Sequence, residues 1–144
     1  MASRDDYLVG WVCALPIEVA AARATLDRIH DNLPPDPNLD DNNNYILGSL
    51  QGHNVVLAYP NFGVYGKTSV AGVATQLHAR FKSVRFNLVV GIAGGVPDTK
   101  EDIRLGDIVV SKSIAGWPGV VQYDVNGERA EDQFIRGRAL DQPT

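Results

Sequence analysis

The sequence predicts an open α/β sheet, on three observations. Asn87-Leu-Val-Val-Gly-Ile-Ala-Gly-Gly-Val-Pro97 has an apolar run without polar alternation that ends in three glycines within five positions. Leu88-Val89-Val90 therefore suits a strand covered on both faces, and the glycines let main-chain N–H groups approach a ligand that any Cβ would push away. Leu105-Gly-Asp-Ile-Val-Val-Ser111 is a second strand of the same kind. Upstream of both, strand-like runs alternate with segments of helical spacing, the pattern of βαβ units. A ligand-sized notch at the end of a sheet is the expectation.

Tyr7-Leu-Val-Gly-Trp-Val-Cys13 reads as the first strand, and Leu15-Pro16 ends it where Pro can occupy the first turn of a helix. Ile17, Val19, Ala20, Ala21, Ala24, Leu26 and Ile29 give that helix an apolar stripe. Residues 32–44 are dominated by Pro and Asx and predict an exposed connection. Tyr45–Leu50 and Asn54–Tyr59, separated by Gln51-Gly52-His53, read as a hairpin. Lys67 to Phe81 carries Val70, Val73, Ala74, Leu77 and Phe81 at helical spacing, followed by a strand that begins near Phe86. This is a βαβ unit, with a right-handed crossover expected.

Ile108-Val109-Val110 predicts one more buried strand. Ile114 to Thr144 is rich in Gly and Pro, with short apolar runs and no closing helix. Two helices for roughly five strands leave one face poorly covered, so the chain is expected to dock on something or to be part of a larger domain.

Of 144 residues, 44% are hydrophobic and 21% charged, a balance that supports a soluble domain with a real core. The net charge of −4 comes from 13 basic and 17 acidic residues without a strong block, which argues against a nucleic-acid partner. Cys13 is the single cysteine, so no intramolecular disulfide forms, and its apolar neighbours suit a small buried hydrophobe. Neither a signal peptide nor a membrane-length apolar run is legible. A cytoplasmic location is expected, with the nucleus still open, and no membrane partner.

Glu18 falls one turn into the first helix, beyond the C-terminal end of the first strand, where ligands gather in open α/β sheets. Its carboxylate could activate water or protonate a leaving group, or simply complement the helix dipole. Phe62-Gly-Val-Tyr-Gly-Lys-Thr-Ser69 is not a Walker A loop, because only two residues separate Gly63 from Gly66-Lys67. Its free N–H groups could hold an anion or a sugar hydroxyl, or only cap the helix. Gly91-Ile-Ala-Gly-Gly95 lacks the dinucleotide spacing. Asp98, Glu101, Asp102 and Asp107 offer no regular ligand spacing, and His30, His53 and His78 lie far apart, so no metal is expected. Arg104 and Asp107 suit local turn contacts. Trp117 and Tyr123 could stack on a flat base or pack an irregular segment.

Taken together, Ala14-Leu-Pro-Ile-Glu18, Phe62-Gly63, Gly91-Ile-Ala-Gly-Gly95 and Leu105-Gly-Asp-Ile-Val-Val-Ser111 resemble the purine and uridine phosphorylase superfamily, which includes the methylthioadenosine/S-adenosylhomocysteine nucleosidases. Val9-Gly-Trp-Val-Cys-Ala-Leu-Pro16 and Gly119-Val-Val-Gln-Tyr-Asp124 are most similar to the version at the N-terminus of large fungal NACHT, NB-ARC, ankyrin or tetratricopeptide proteins. The resemblance covers residues 7–140. It implies a three-layer α/β/α domain with a mixed central sheet, of which this chain holds the N-terminal portion.

The activity implied, if a missing C-terminal half completes the domain, is cleavage of the N-glycosidic bond of a nucleoside, with phosphate or water as nucleophile and no cofactor. By resemblance, Glu18 matches the glutamate that positions the attacking water. Phe62-Gly63 matches the glycine loop beside the ribose, and Ala93-Gly94 the loop against base and sugar. The family's phosphate-binding arginines have no counterpart in Gly10-Trp11, 62–69 or Val90-Gly91, where Lys67 is the only cation. Water is therefore favoured over phosphate, and a purine nucleoside or nucleotide is the expected small-molecule partner. The family's second half supplies a base-stacking aromatic, a Met-Glu pair and an aspartate not assignable here. An inactive, truncated nucleoside-binding or protein-interaction domain is thus the alternative, and a homo-oligomer is open to either.

Overall fold

The computed structural model describes residues 3–61, 67–95, 102–112 and 119. Phe62, Gly63, Gly66, Asp98, Glu101, Trp117 and Tyr123 lie outside the described residues. The chain divides into two compact units, residues 1–94 and 95–144.

In the first unit a short 3-10 turn, Arg4–Asp6, precedes β1 (Val9–Val12) and α1 (Pro16–Thr25). There follow β2 (Arg28–Ile29), β3 (Asn44–Leu50), β4 (His53–Tyr59), α2 (Lys67–Arg80) and β5 (Phe86–Val89). The strand order is β2-β3-β4-β1-β5. β1 runs parallel to both β4 and β5, with Val12 level with Ala58 and Val89, whereas β3 is antiparallel to β4 and β2. The sheet is mixed because a hairpin joins β3 to β4 and a helical crossover joins β4 to β5.

Both faces of this sheet carry a core, and strand alternation sorts the residues between them. On one face Val12, Leu47, Val56 and Ala58 meet Val73 and Leu77 of α2, with Tyr7, Phe81 and Val84. On the other, Val55 and Leu57 meet Cys13 and Ala22, flanked by Val9, Trp11, Val19 and Ile46. Successive residues of β4 thus alternate between α2 and α1, which is the three-layer α/β/α arrangement.

Turn chemistry sets the hairpin register. Gln51 (φ 50°) and Gly52 (φ 81°) are both left-handed, the two-residue type I′ geometry that matches strand twist, and Leu50 pairs with His53.

The helix α1 stops at Thr25, before the Leu26 and Ile29 that the apolar stripe had included. Leu26 is extended (φ −67°, ψ 132°), and Arg28–Ile29 pair with Ser49 and Gly48 as β2. Gly48 permits the approach, because a Cβ there would lie 2.6 Å from the Arg28 carbonyl oxygen and 2.7 Å from Leu26 Cδ1.

The Pro- and Asx-rich connection carries no regular element from residue 32 to 43, yet it is pinned to the first unit. Arg80 pairs with Asp41 at 3.3 Å and lies 4.8 Å from the centre of the Tyr45 ring. Arg4 donates to the Pro34 carbonyl at 2.6 Å, and Asn43 Nδ2 to that of Val73 at 3.0 Å.

Two expectations of burial are corrected. Among the described residues β5 is an edge strand, and Leu88, Val89 and Val90 are exposed where cover on both faces was expected. In the second unit the described residues 102–112 contain no strand, and Ile108, Val109 and Val110 are 70–90% exposed. An uninterrupted apolar run signals a strand that needs a neighbour on each face. Among the described residues neither run has one.

Candidate functional site

The site is built where β1 and β5 end side by side. After β1 the chain continues through Cys13, whose N–H donates to the Ala58 carbonyl at 3.0 Å, and turns at Ala14-Leu15 into α1. Leu15 is the N-cap and has no side-chain acceptor to offer. Pro16 occupies the first helical position, where a missing N–H costs nothing. Glu18, the third helical residue, therefore turns back on the helix start. Its Oε2 accepts from Ala14 N–H and from Leu15 N–H, each at 2.9 Å. This is the reach-back half of a capping box.

The second oxygen does something a cap does not require. Glu18 Oε1 accepts from the Ile92 N–H at 2.9 Å, across 74 residues of sequence. Ile92 stands just past β5, so one carboxylate ties the end of β1 to the end of its parallel neighbour. Gly91 makes the approach possible. A Cβ there would lie 2.7 Å from Glu18 Oε1 and 3.2 Å from its Cδ.

Electrostatics follow from these contacts. Burial pushes the Glu18 carboxyl up, but the N–H groups of Ile92, Leu15 and Ala14 donate only to the charged form and outweigh it, so its pKa falls below the ordinary glutamate value. The side chain is therefore an anion at neutral pH. As an anion it can accept a hydrogen bond from a water, and it has no proton to donate to a leaving group. The same charge acts on Cys13, where burial first and Glu18 second push the thiol up to about 11. Cys13 remains a neutral, buried thiol.

Beside the carboxylate, Ala14, Leu15, Pro16, Val19, Tyr59, Pro60 and Asn61 line a depression at the ends of β1 and β4. Among the described residues its volume is about 10 Å³, room for about one water. Asn61 is held there by Asn44, whose Nδ2 donates to its Oδ1 at 2.8 Å.

Of the site residues named from sequence, Glu18 sits at this junction. Ala93 and Gly94 follow Ile92 directly and are exposed, with open space around Gly94. The substrate-loop residues Phe62 and Gly63 are outside the described residues. Sequence reasoning missed Gly91 and Ile92 as partners of Glu18. The signal was present in the first glycine of Gly91-Ile-Ala-Gly-Gly95, but spacing alone does not say which glycine faces a carboxylate. In the second unit, Arg104 and Asp107 make the expected turn contacts, Arg104 N–H to Asp107 Oδ2 at 2.8 Å and Asp107 N–H to the Arg104 carbonyl at 3.1 Å. Among the described residues no group of three or more His, Cys, Asp or Glu is placed to hold a metal, and no helix is long and apolar enough to cross a membrane.

The layering around a mixed sheet, with parallel strands β4, β1 and β5 side by side, defines a three-layer α/β/α domain. The profile of the phosphorylase superfamily matches residues 9–141, and the chain belongs to that family. It is 46% identical over 140 residues to a nucleotide-binding leucine-rich repeat (NLR)-like protein of Hyaloscypha variabilis (strain UAMH 11265 / GT02V1 / F). Those residues are 96% of this chain and 14% of that protein, so the chain spans about a seventh of its relative's length. No solved structure matches.

Proposed function

We propose that this domain cleaves the N-glycosidic bond of a purine nucleoside or nucleotide, with water as the nucleophile in preference to phosphate. The observation that carries the reading is the Glu18 carboxylate, held ionised by three main-chain N–H groups where β1 and β5 end. A carboxylate offers about four acceptor directions, so roughly one remains for a water. In the reaction the water oxygen bonds to the anomeric carbon as the C–N bond breaks, and the bonding electrons leave with the base. Glu18 accepts one water proton and stabilises the positive charge that develops on the sugar, while the departing base anion takes up a proton from solvent and leaves as neutral base. The absence of arginine from Gly10-Trp11 and Val90-Gly91 supports water over phosphate.

A second reading, an inactive nucleoside-binding or protein-interaction domain, has its own observation. The exposed apolar residues of the edge strand β5, Phe86, Leu88 and Val89, are a surface suited to covering by another polypeptide, including a second copy of the chain. The relative's name, a nucleotide-binding protein, is compatible with either reading. A cytoplasmic location accords with both.

Product identity separates the readings. Adenosine, inosine, methylthioadenosine, uridine and ATP are incubated with the chain, with and without phosphate, and the sugar product is analysed. Free sugar formed without phosphate is the expected result, and sugar 1-phosphate would contradict the choice of water. Binding of a nucleoside without turnover would favour the second reading.

A further inference from the structure

The geometry points to Gly91 as the positioning residue for Glu18: the missing side chain at this one position seats Oε1 on the Ile92 N–H and fixes the direction left open on the carboxylate. This deepens the hydrolytic reading above and rests on it for its catalytic consequence alone.

The three glycines of the 91–95 turn are not equivalent. Among the described residues a Cβ at Gly94 meets nothing within 4 Å, and at Gly95 it meets only the Ile103 side chain. At Gly91 alone the contact is a charged group, with Oε1, Cδ and Oε2 of Glu18 at 2.7, 3.2 and 3.5 Å from the added carbon. Contacts under 3.0 Å force a shift, and here the group that yields is the end of a flexible side chain, not a strand backbone. Gly91→Ala is therefore expected to displace the carboxylate and to spare the fold.

Where the carboxylate goes is constrained. Oε2 is tied to Ala14 and Leu15 on its own helix start, so the bond surrendered is the one from Ile92, which reaches across the sheet. Losing one of three donors removes part of what holds the carboxyl ionised. It also swings the remaining acceptor direction away from the strand ends. Shortening the arm by one methylene, Glu18→Asp, withdraws the carboxylate from the added methyl and should relieve the clash.

The test follows the Glu18 carboxyl and the Ile92 amide by NMR across an acid titration. In the unaltered chain the Ile92 amide shift should move with the Glu18 titration. In Gly91→Ala the carboxyl should titrate higher and the Ile92 amide should lose protection from exchange. Gly91→Ala combined with Glu18→Asp should be more stable than the two single effects added together. A general loss of folding would not give that recovery. If base release is measurable, Gly91→Ala should lower kcat about a hundredfold with KM little changed. An Ile92 amide that ignores Glu18 in the unaltered chain overturns the inference, and so does a carboxyl titration unmoved by Gly91→Ala. Failure to release base in the unaltered chain overturns the hydrolytic reading while the NMR result still decides the role of Gly91.

Discussion

At the scale of single residues, the Glu18 carboxylate holds the junction of β1, α1 and β5, so its state should be readable in stability. Its folded pKa lies below the unfolded one, so its contribution is fully present above the ordinary glutamate value, about 4.3, and is lost as pH falls through the folded pKa. Denaturant titrations from neutral to acid pH should show this acid loss, and Glu18→Gln should flatten it. The amide of Glu18→Gln turns a donor toward N–H groups that already donate, so this variant should also cost about 1–3 kcal/mol at neutral pH. Gly48 is a stricter case than Gly91, because the atom a Cβ would strike is the Arg28 carbonyl oxygen of the paired strand. Gly48→Ala should cost about 1–3 kcal/mol in the same assay.

Between elements, the turn at Gln51-Gly52 offers a gain. Both residues have positive φ, and Asn tolerates that conformation better than Gln, so Gln51→Asn should raise the melting temperature by a few degrees. Arg80 and Asp41 tie the 32–43 connection to α2 with side chains only 13% and 6% exposed. Asp41→Asn leaves that guanidinium without its counter-charge and should cost about 3 kcal/mol. The elements themselves were largely legible in the sequence, because strand and helix periods and the Gly-rich hairpin turn are local signals. β1, β3, β4, α2 and β5 lie where the pattern places them, within a few residues. What failed was non-local. Ile29 suits a helical stripe as well as a strand, and only the approach of Gly48 decides for β2. Ile108-Val109-Val110 has the composition of a buried strand, but burial depends on what packs against it. The place of Glu18 beyond the end of β1 was legible. Its bond to Ile92 was not, since a contact across 74 residues leaves no periodic trace.

For the whole molecule, the edge strand and the carboxylate make separate claims. Among the described residues the outer edge of β5 has no paired strand, and Phe86 and Val89 are 65% and 70% exposed, a surface expected to drive self-association of the isolated chain. Val89→Lys should shift light scattering toward monomer without loss of helical signal. The proposed chemistry belongs to the other feature, the ends of β1 and β5. It is tested most directly by release of free purine from a nucleoside in phosphate-free buffer, comparing the chain with Glu18→Gln after circular dichroism has shown both to be folded. Release by the unaltered chain and its near-complete loss in the variant are expected. Equal release by the two would contradict that chemistry, because the carboxylate would then serve the helix start and the strand junction and nothing more.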